Sequence, residues 1–175
     1  MSFPEIVMKP IGIIHTPFKR VSDGIPIQGR LHPGAEGHID LFDEYRDAGR
    51  DLDGFSHLFL LFYMHVSTVE RMITKPYMDT VTRGVLSTRS PHRPNHLGLT
   101  LVRLIGIEAG SLTIRDVDMV DGTPLLDIKP YNPLFDAASK GEEVKTGWMK
   151  KISLDDSVRG TTKTRSHEEW LQENE

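Results

Sequence analysis

The chain has no cysteine among its 175 residues, which removes disulfides, thiolate metal sites and cysteine nucleophiles together. It has no apolar run near the ~18 residues a membrane-spanning helix needs, and its start, MSFPEIVMKPIGIIH, lacks the basic segment and long apolar stretch of a secretion signal. A cytoplasmic protein without a membrane segment is the expectation. A general excess of positive charge is missing too: 21 Lys and Arg stand against 25 Asp and Glu, a net charge of −4. A uniformly basic nucleic-acid coat is excluded, while local positive surfaces are not. The sequence contains no GxGxxG after a strand, no GxxxxGK[ST] and no GxSxG, so a Rossmann nucleotide site, a P-loop and a hydrolase elbow have no support. Of the eight histidines, His57 and His65 are the tempting pair, yet on one strand they stand roughly 26 Å apart. With no HExxH or similar compact set, no metal site is expected.

What is present reads as β-structure. EIVMKPIGIIHT, GHIDLF, FSHLFLLFYMHV, GVLST, LGLTLVRLIGIEA, SLTIRDVDMV and PLLDIKPY are rich in β-branched and aromatic residues. The connections are short and carry turn residues such as Asp23-Gly24 and Asp121-Gly122, which suits antiparallel pairing. A mainly β domain, a closed single-sheet barrel with one or two short helices, follows. The helices are expected over Asp43 to Leu52 and Val69 to Asp79. A barrel domain over 5–135 would precede a charged tail or terminal helix over 136–175, where large apolar residues thin out.

Two stretches carry chemistry. Between Thr80 and Ile107 there is no acidic residue, while Arg83, Arg89, Arg93 and Arg103 mark a local positive stretch. Arg89 and Arg93 frame a loop stiffened by Pro91 and Pro94, and their planar forks suit carboxylate or phosphate; the alternative is a solvated loop. The second stretch is DMVDGTPLLDIKPYNP, residues 118–133. On a strand Asp116 and Asp118 would share one face, Asp121-Gly122 would turn, and Asp127, Lys129 and Tyr131 would return beside them. That hairpin face is either a site wall or a set of solvated ion pairs of little energetic weight.

Taken together, PIGIIHTPF (10–18), PIQG (26–29), GFSHLFLLFYMH (54–65), TRSPHRPNHLGLTLVRL (88–104) and DMVDGTPLLDIKPYNP resemble the tRNA methyltransferase O family, the TsaA-like or YaeB-like proteins. The resemblance covers roughly residues 5–135 and does not extend to the extra C-terminal domain of longer bacterial members. It implies a single-sheeted barrel binding S-adenosyl-L-methionine without a Rossmann fold, usually as a homodimer. It also implies methylation of N6 of threonylcarbamoyl-adenosine, next to the anticodon of threonine tRNA. Carried over by motif, the cofactor pocket involves Gln28, Gly29, Arg30, His65, Val66, Arg89, Leu99 and the segment Arg115, Asp116, Val117, Asp118. Asp118 is the candidate proton acceptor, with Lys129 and Tyr131 completing a catalytic set. Lys19, Arg20, Arg83 and Arg93 would meet the tRNA anticodon loop. The competing readings are a family methyltransferase for another substrate and a non-catalytic RNA-binding barrel.

Overall fold

A computed structural model describes residues 4–151. Side chains alternate between the two faces of the main strands: in β6 (Leu97–Glu108) Gly98, Thr100 and Val102 are buried while Leu97 and Leu99 face outward. The other long strands are β1 (Gly12–His15), β2 (Glu36–Leu41), β3 (His57–Tyr63), β7 (Ser111–Arg115) and β8 (Thr123–Pro130), with a two-stranded piece of β4 (Ile73–Thr74) and β5 (Arg83–Gly84). The six long strands close into an antiparallel barrel in the order β1-β2-β7-β6-β3-β8. Closure removes free sheet edges. Ile14, Ile39, Leu58, Leu60, Leu112, Ile114 and Leu125 fill it and are essentially inaccessible. Gly98 lets Phe62 lie against the β6 backbone, since a side chain there would strike the Phe62 ring.

This topology sorts the connections. The β1–β2, β3–β6 and β7–β8 connections leave the barrel at one end, and the β2–β3 connection and the tight Ala109-Gly110 turn leave at the other. Three of the sequence motifs therefore meet at one mouth.

Five expectations need correction. The Asp43 to Leu52 helix forms as 3-10 turns over Asp43–Gly49 and Leu52–Gly54, and Val69 to Asp79 forms no helix but contains β4. GVLST is a 3-10 turn, Val85–Ser87, after the short β5. The segment SLTIRDVDMV is not one strand. β7 ends at Arg115, and Asp116 takes a left-handed backbone conformation with φ of 72°. Nor do β7 and β8 form a hairpin: β7 pairs with β2 and β6, while β8 pairs with β1 and β3. Consecutive strands usually pair, but here ring closure directs each to other neighbours. Among the described residues no helix is long and apolar enough to cross a membrane.

Beyond the barrel, Pro133–Asp136 forms one turn of helix capped by Asn132, and Gly147–Lys151 a 3-10 turn. The second turn is tied back to the mouth. The Trp148 indole N–H donates to the Ser87 carbonyl at 2.8 Å, and the Arg83 guanidinium lies 5.7 Å from its ring centre. The terminal helix expected further on falls outside the described residues.

Candidate functional site

The mouth is organised by the way β6 changes partners. β3 pairs with β6 over Leu97–Arg103, whereas β7 pairs with it only from Arg103 onward. Along Leu97 to Val102 the other edge of β6 is therefore left to the residues after β7 and the 3-10 turn Gly29–Leu31. The left-handed Asp116 turns the chain here, and its side chain fastens the turn. It accepts from Arg103 Nε at 2.8 Å and Nη2 at 3.3 Å, and from the Gly34 amide at 2.9 Å. Burial alone would raise the Asp116 pKa, but the Arg103 fork and the Gly34 amide outweigh it and hold the carboxyl below its ordinary range. Its partner Arg103 is raised by the hydrogen bond and charge of Asp116. Asp116 is thus an ionised structural clamp.

Two residues on, Asp118 behaves oppositely. Its Oδ2 accepts from the Gly29 amide and from Thr100 Oγ, both at 3.0 Å, while Oδ1 is shielded from solvent and has no hydrogen-bond partner. Loss of solvation pushes its pKa up to about 6, against opposing pulls from the Gly29 amide, Thr100 and the Arg89 charge. An unsatisfied shielded carboxylate oxygen is costly, and such groups concentrate at functional sites. Oδ1 is available for a donor brought in by a ligand. Gly29 makes the arrangement possible: a Cβ there would run into the Asp116 carbonyl oxygen and sit 2.5 Å from its carbon. The backbone of Gln28-Gly29 can approach Asp118 only because position 29 has no side chain.

A third connection adds the cation. Arg89 Nη1 donates to Gln28 Oε1, joining the β3–β6 loop to the β1–β2 loop. Around Arg89 the loop is internally braced, as the sequence prolines foreshadowed. Arg93 Nη1 donates to the Thr88 carbonyl at 3.1 Å, His96 Nδ1 lies 2.9 Å from the Pro91 carbonyl, and Ser67 Oγ donates to the same carbonyl at 3.0 Å. Asn95 and His96 both take positive φ, 65° and 47°, so the chain doubles back into β6.

The structure thus gathers Gln28, Gly29, Arg89, Asp116 and Asp118 at β6 beside exposed Leu99. His65 and exposed Val66 follow β3 at the same mouth, with His65 Nδ1 3.5 Å from Thr123 Oγ. Arg30, in the Gly29–Leu31 turn, is exposed and close enough to influence both Asp116 and His57. Val117 points into the core with no exposure, so it can offer a ligand only backbone. Arg115 is held by Glu36 across β2–β7.

Lys129 and Tyr131 are not brought to Asp118 within the chain. Ile128 and Thr100 both oppose Leu60, which puts β8 two strand spacings, about 10 Å, from the strand holding Thr100. Lys129 moreover points to the barrel's outer face, where it pairs with Asp127 at 2.9 Å, and the Tyr131 ring packs edge-on against Phe59 and His57. Their placement with Asp118 assumed the hairpin that ring closure replaces. Of the proposed anticodon-loop contacts, Lys19 is paired with Asp121 at 2.8 Å, Arg20 with Asp23 at 3.5 Å and Arg83 with Asp79 at 2.8 Å. The residue sequence reasoning missed is Thr100. Its position inside the otherwise apolar run Leu97 to Val102 was the available signal.

A closed six-stranded barrel whose candidate site groups converge on one mouth from three connections is the class of protein defined here. Residues 13–137 match the tRNA-methyltransferase O N-terminal domain, and the chain belongs to that family. A probable S-adenosyl-L-methionine-binding protein of Pyrococcus abyssi is 44% identical over 146 residues, covering 83% of this chain and 77% of the relative. A tRNA (adenine(37)-N6)-methyltransferase of Mus musculus is 34% identical over 140 residues, 76% of this chain but only 32% of the mouse protein. Among solved structures, a crystal structure of TrmO superposes with a TM-score of 0.67 at 37% identity, covering 80% of this chain and 64% of that one. The chain spans less than two thirds of the last two proteins.

Proposed function

We propose that the protein is an S-adenosylmethionine-dependent tRNA methyltransferase, acting on N6 of adenine-37 in its threonylcarbamoylated form, in the cytoplasm where mature tRNA is found. The observation that carries this reading is the shielded, unpartnered Oδ1 of Asp118 beside the Gly29 amide and Arg89. S-adenosylmethionine supplies an electrophilic methyl group on a sulfonium. The donor set suits it: Arg89 offers a guanidinium to its carboxylate, the Gln28-Gly29 turn close backbone contact, and exposed Leu99 and Val66 apolar surface. Gln28, Gly29, Arg30, His65, Val66, Arg89, Leu99, Asp116 and Asp118 are assigned to this pocket, Asp116 by holding its shape.

The receiving nitrogen is a poor nucleophile because its lone pair is delocalised. Methyl transfer forms the N–C bond as the S–C bond breaks, and the N–H proton has to leave. Asp118 Oδ1 accepts that proton in this reading, and a carboxylate whose pKa stands near 6 is a stronger base than an ordinary one. Within one chain Lys129 and Tyr131, on the outer face, do not reach this step.

Homodimerisation belongs to the same reading. Tyr63, Leu97 and Leu99 lie exposed side by side on the outer face of β3 and β6, an apolar surface next to Thr100. The archaeal relative is named only for binding S-adenosylmethionine, so a family methyltransferase for another substrate is the competing reading. Incubation with S-adenosylmethionine and tRNA carrying threonylcarbamoyl-adenosine, followed by nucleoside mass spectrometry, distinguishes them. A methylated threonylcarbamoyl-adenosine peak supports the proposal, and an unchanged nucleoside profile despite cofactor binding removes the tRNA substrate.

Phosphate contact provides a separate check. Because Lys19 and Arg83 already face carboxylates, Arg93 is the informative position. Arg93→Ala should weaken tRNA binding and lower the slope of log affinity against log salt by about 1. An unchanged slope would place the tRNA elsewhere.

A further inference from the structure

On the far side of the mouth connections, the outer face of β1 and β2 carries a second cluster that methyl transfer does not use. His15 and His38 are direct cross-strand partners, and Asp40 follows His38 by two residues on the same face. The two imidazoles are stacked, with ring centres 4.7 Å apart and planes 22° from parallel. His15 Nε2 and His38 Nε2 each lie 3.7 Å from Asp40 Oδ2, and one ligand atom from each residue falls within 4.8 Å of the others. Sequence spacing could not reveal this set, because one ligand comes from β1 and two from β2.

We infer that His15, His38 and Asp40 form a binding site for a borderline divalent transition metal of the zinc type. Two imidazoles and one carboxylate are the donors such ions prefer over the all-oxygen sets of magnesium and calcium. A tetrahedral ion with ligand bonds near 2.0–2.1 Å needs donor atoms about 3.3 Å apart; each imidazole nitrogen stands 3.7 Å from Asp40 Oδ2 and the whole donor set lies within 4.8 Å, so the stacked rings have to rotate towards each other about their side-chain bonds to close on an ion. The strands fix the spacing, so little order has to be created on binding.

Two further observations favour an ion over a solvated polar patch. His15 presents its other ring nitrogen, Nδ1, to Asp121 Oδ1 at 3.4 Å. A carboxylate behind the ring is the usual means of orienting a ligating imidazole and strengthening its outer nitrogen. Asp121 is itself held in place, accepting from the Thr16 amide at 3.0 Å and facing Lys19 at 2.8 Å. The open side of the cluster faces a shallow cavity of about 600 Å³ lined by Ile13, Phe42, Asp43 and Glu44. A fourth position is thereby open to water or to an added ligand. A bound ion would clip β1 to β2 and, through His15 and Asp121, brace the connection that carries Asp118.

The test is titration of the metal-free full chain with zinc chloride, followed by calorimetry, with cobalt(II) absorption as a report of coordination geometry. One equivalent per chain, a tetrahedral cobalt spectrum and a higher melting temperature with zinc are expected. His38→Ala and Asp40→Ala, both at exposed positions, should each lower affinity by roughly tenfold or more, and Asp121→Asn by about tenfold. His57→Ala, on β3, should leave it unchanged. Circular dichroism of each variant checks that it remains folded. Absence of stoichiometric zinc binding, or undiminished binding in folded His38→Ala and Asp40→Ala proteins, would overturn the site.

Discussion

Replacing Asp118 by asparagine should lower methyl transfer by about 100-fold or more, in the range general-base catalysis contributes, while S-adenosylmethionine affinity changes less than about 3-fold. Asparagine can still accept from the Gly29 amide and Thr100, so the local turn persists. What it cannot do is take a proton. The two proteins should also differ in their pH profiles: kcat/KM of the parent protein rises about tenfold per pH unit up to about 6 and then levels, while the variant shows no such step. Stability gives an independent readout with a definite sign. Asp118 has a folded-state pKa of about 6 against an ordinary 3.8, so the folded state retains a proton that the unfolded chain has already released. The Asp118 contribution to stability is therefore lost as pH rises from about 4 through about 6, and the parent protein falls relative to Asp118→Asn over that range. Because Asp118 keeps partial access to solvent, the change between pH 4 and 7 should be about 1–2 kcal/mol rather than the full value of the shift. Denaturant unfolding at the two pH values measures it. Equal turnover in parent and variant would end the proton-acceptor role.

Gly29→Ala carries the second large effect. The new methyl group would meet backbone, the Asp116 carbonyl, where no flexible side-chain end can move aside. Either the Gly29–Leu31 turn or the Asp116 turn has to shift, and the Gly29 amide withdraws from Asp118 in both cases. Overpacking of this kind costs about 3 kcal/mol, which for a domain of this size lowers the melting temperature by roughly 10 °C. Cofactor affinity should fall at least about tenfold, since the pocket wall is what moves. Gly54→Ala is the appropriate comparison, because its added Cβ meets nothing within 4 Å, and it should be close to neutral. Calorimetric melting and cofactor titration of the two variants test the assignment; parity between them would show that the close approach at Gly29 has no energetic consequence.

How far the sequence revealed this arrangement depended on how local each signal was. β3 and β6 were legible because runs of apolar, β-branched and aromatic residues extend over most of each strand. The end of β7 was not, because the break falls on Asp116, an aspartate at positive φ secured by Arg103 and the Gly34 amide, partners 13 and 82 residues distant in sequence. The shared face of Asp116 and Asp118 was inferred from an uninterrupted strand. In the fold the two carboxylates are neighbours with opposite electrostatics, one held ionised by a guanidinium and one pushed towards its neutral form. Lys129 and Tyr131 were placed beside Asp118 by an assumed β7–β8 hairpin, and ring closure leaves them on the outer face beside β3 instead. Gln28, Gly29 and Arg89 were recognisable only as motif fragments, since their association depends on three connections sharing one mouth, a property of strand order rather than of local composition.

The contact between Trp148 and the mouth gives the molecule its own optical probe. The indole shares a hydrogen bond with Ser87 and a face with Arg83, only a few residues before Arg89. A ligand that draws Arg89 inward will alter the polarity and quenching around that ring, so its emission should shift in wavelength or intensity as S-adenosylmethionine is added. The chain's other tryptophan, Trp170, can be changed to phenylalanine to leave a single emitter. Occupancy of the site then becomes readable in real time, without any label attached to protein or ligand.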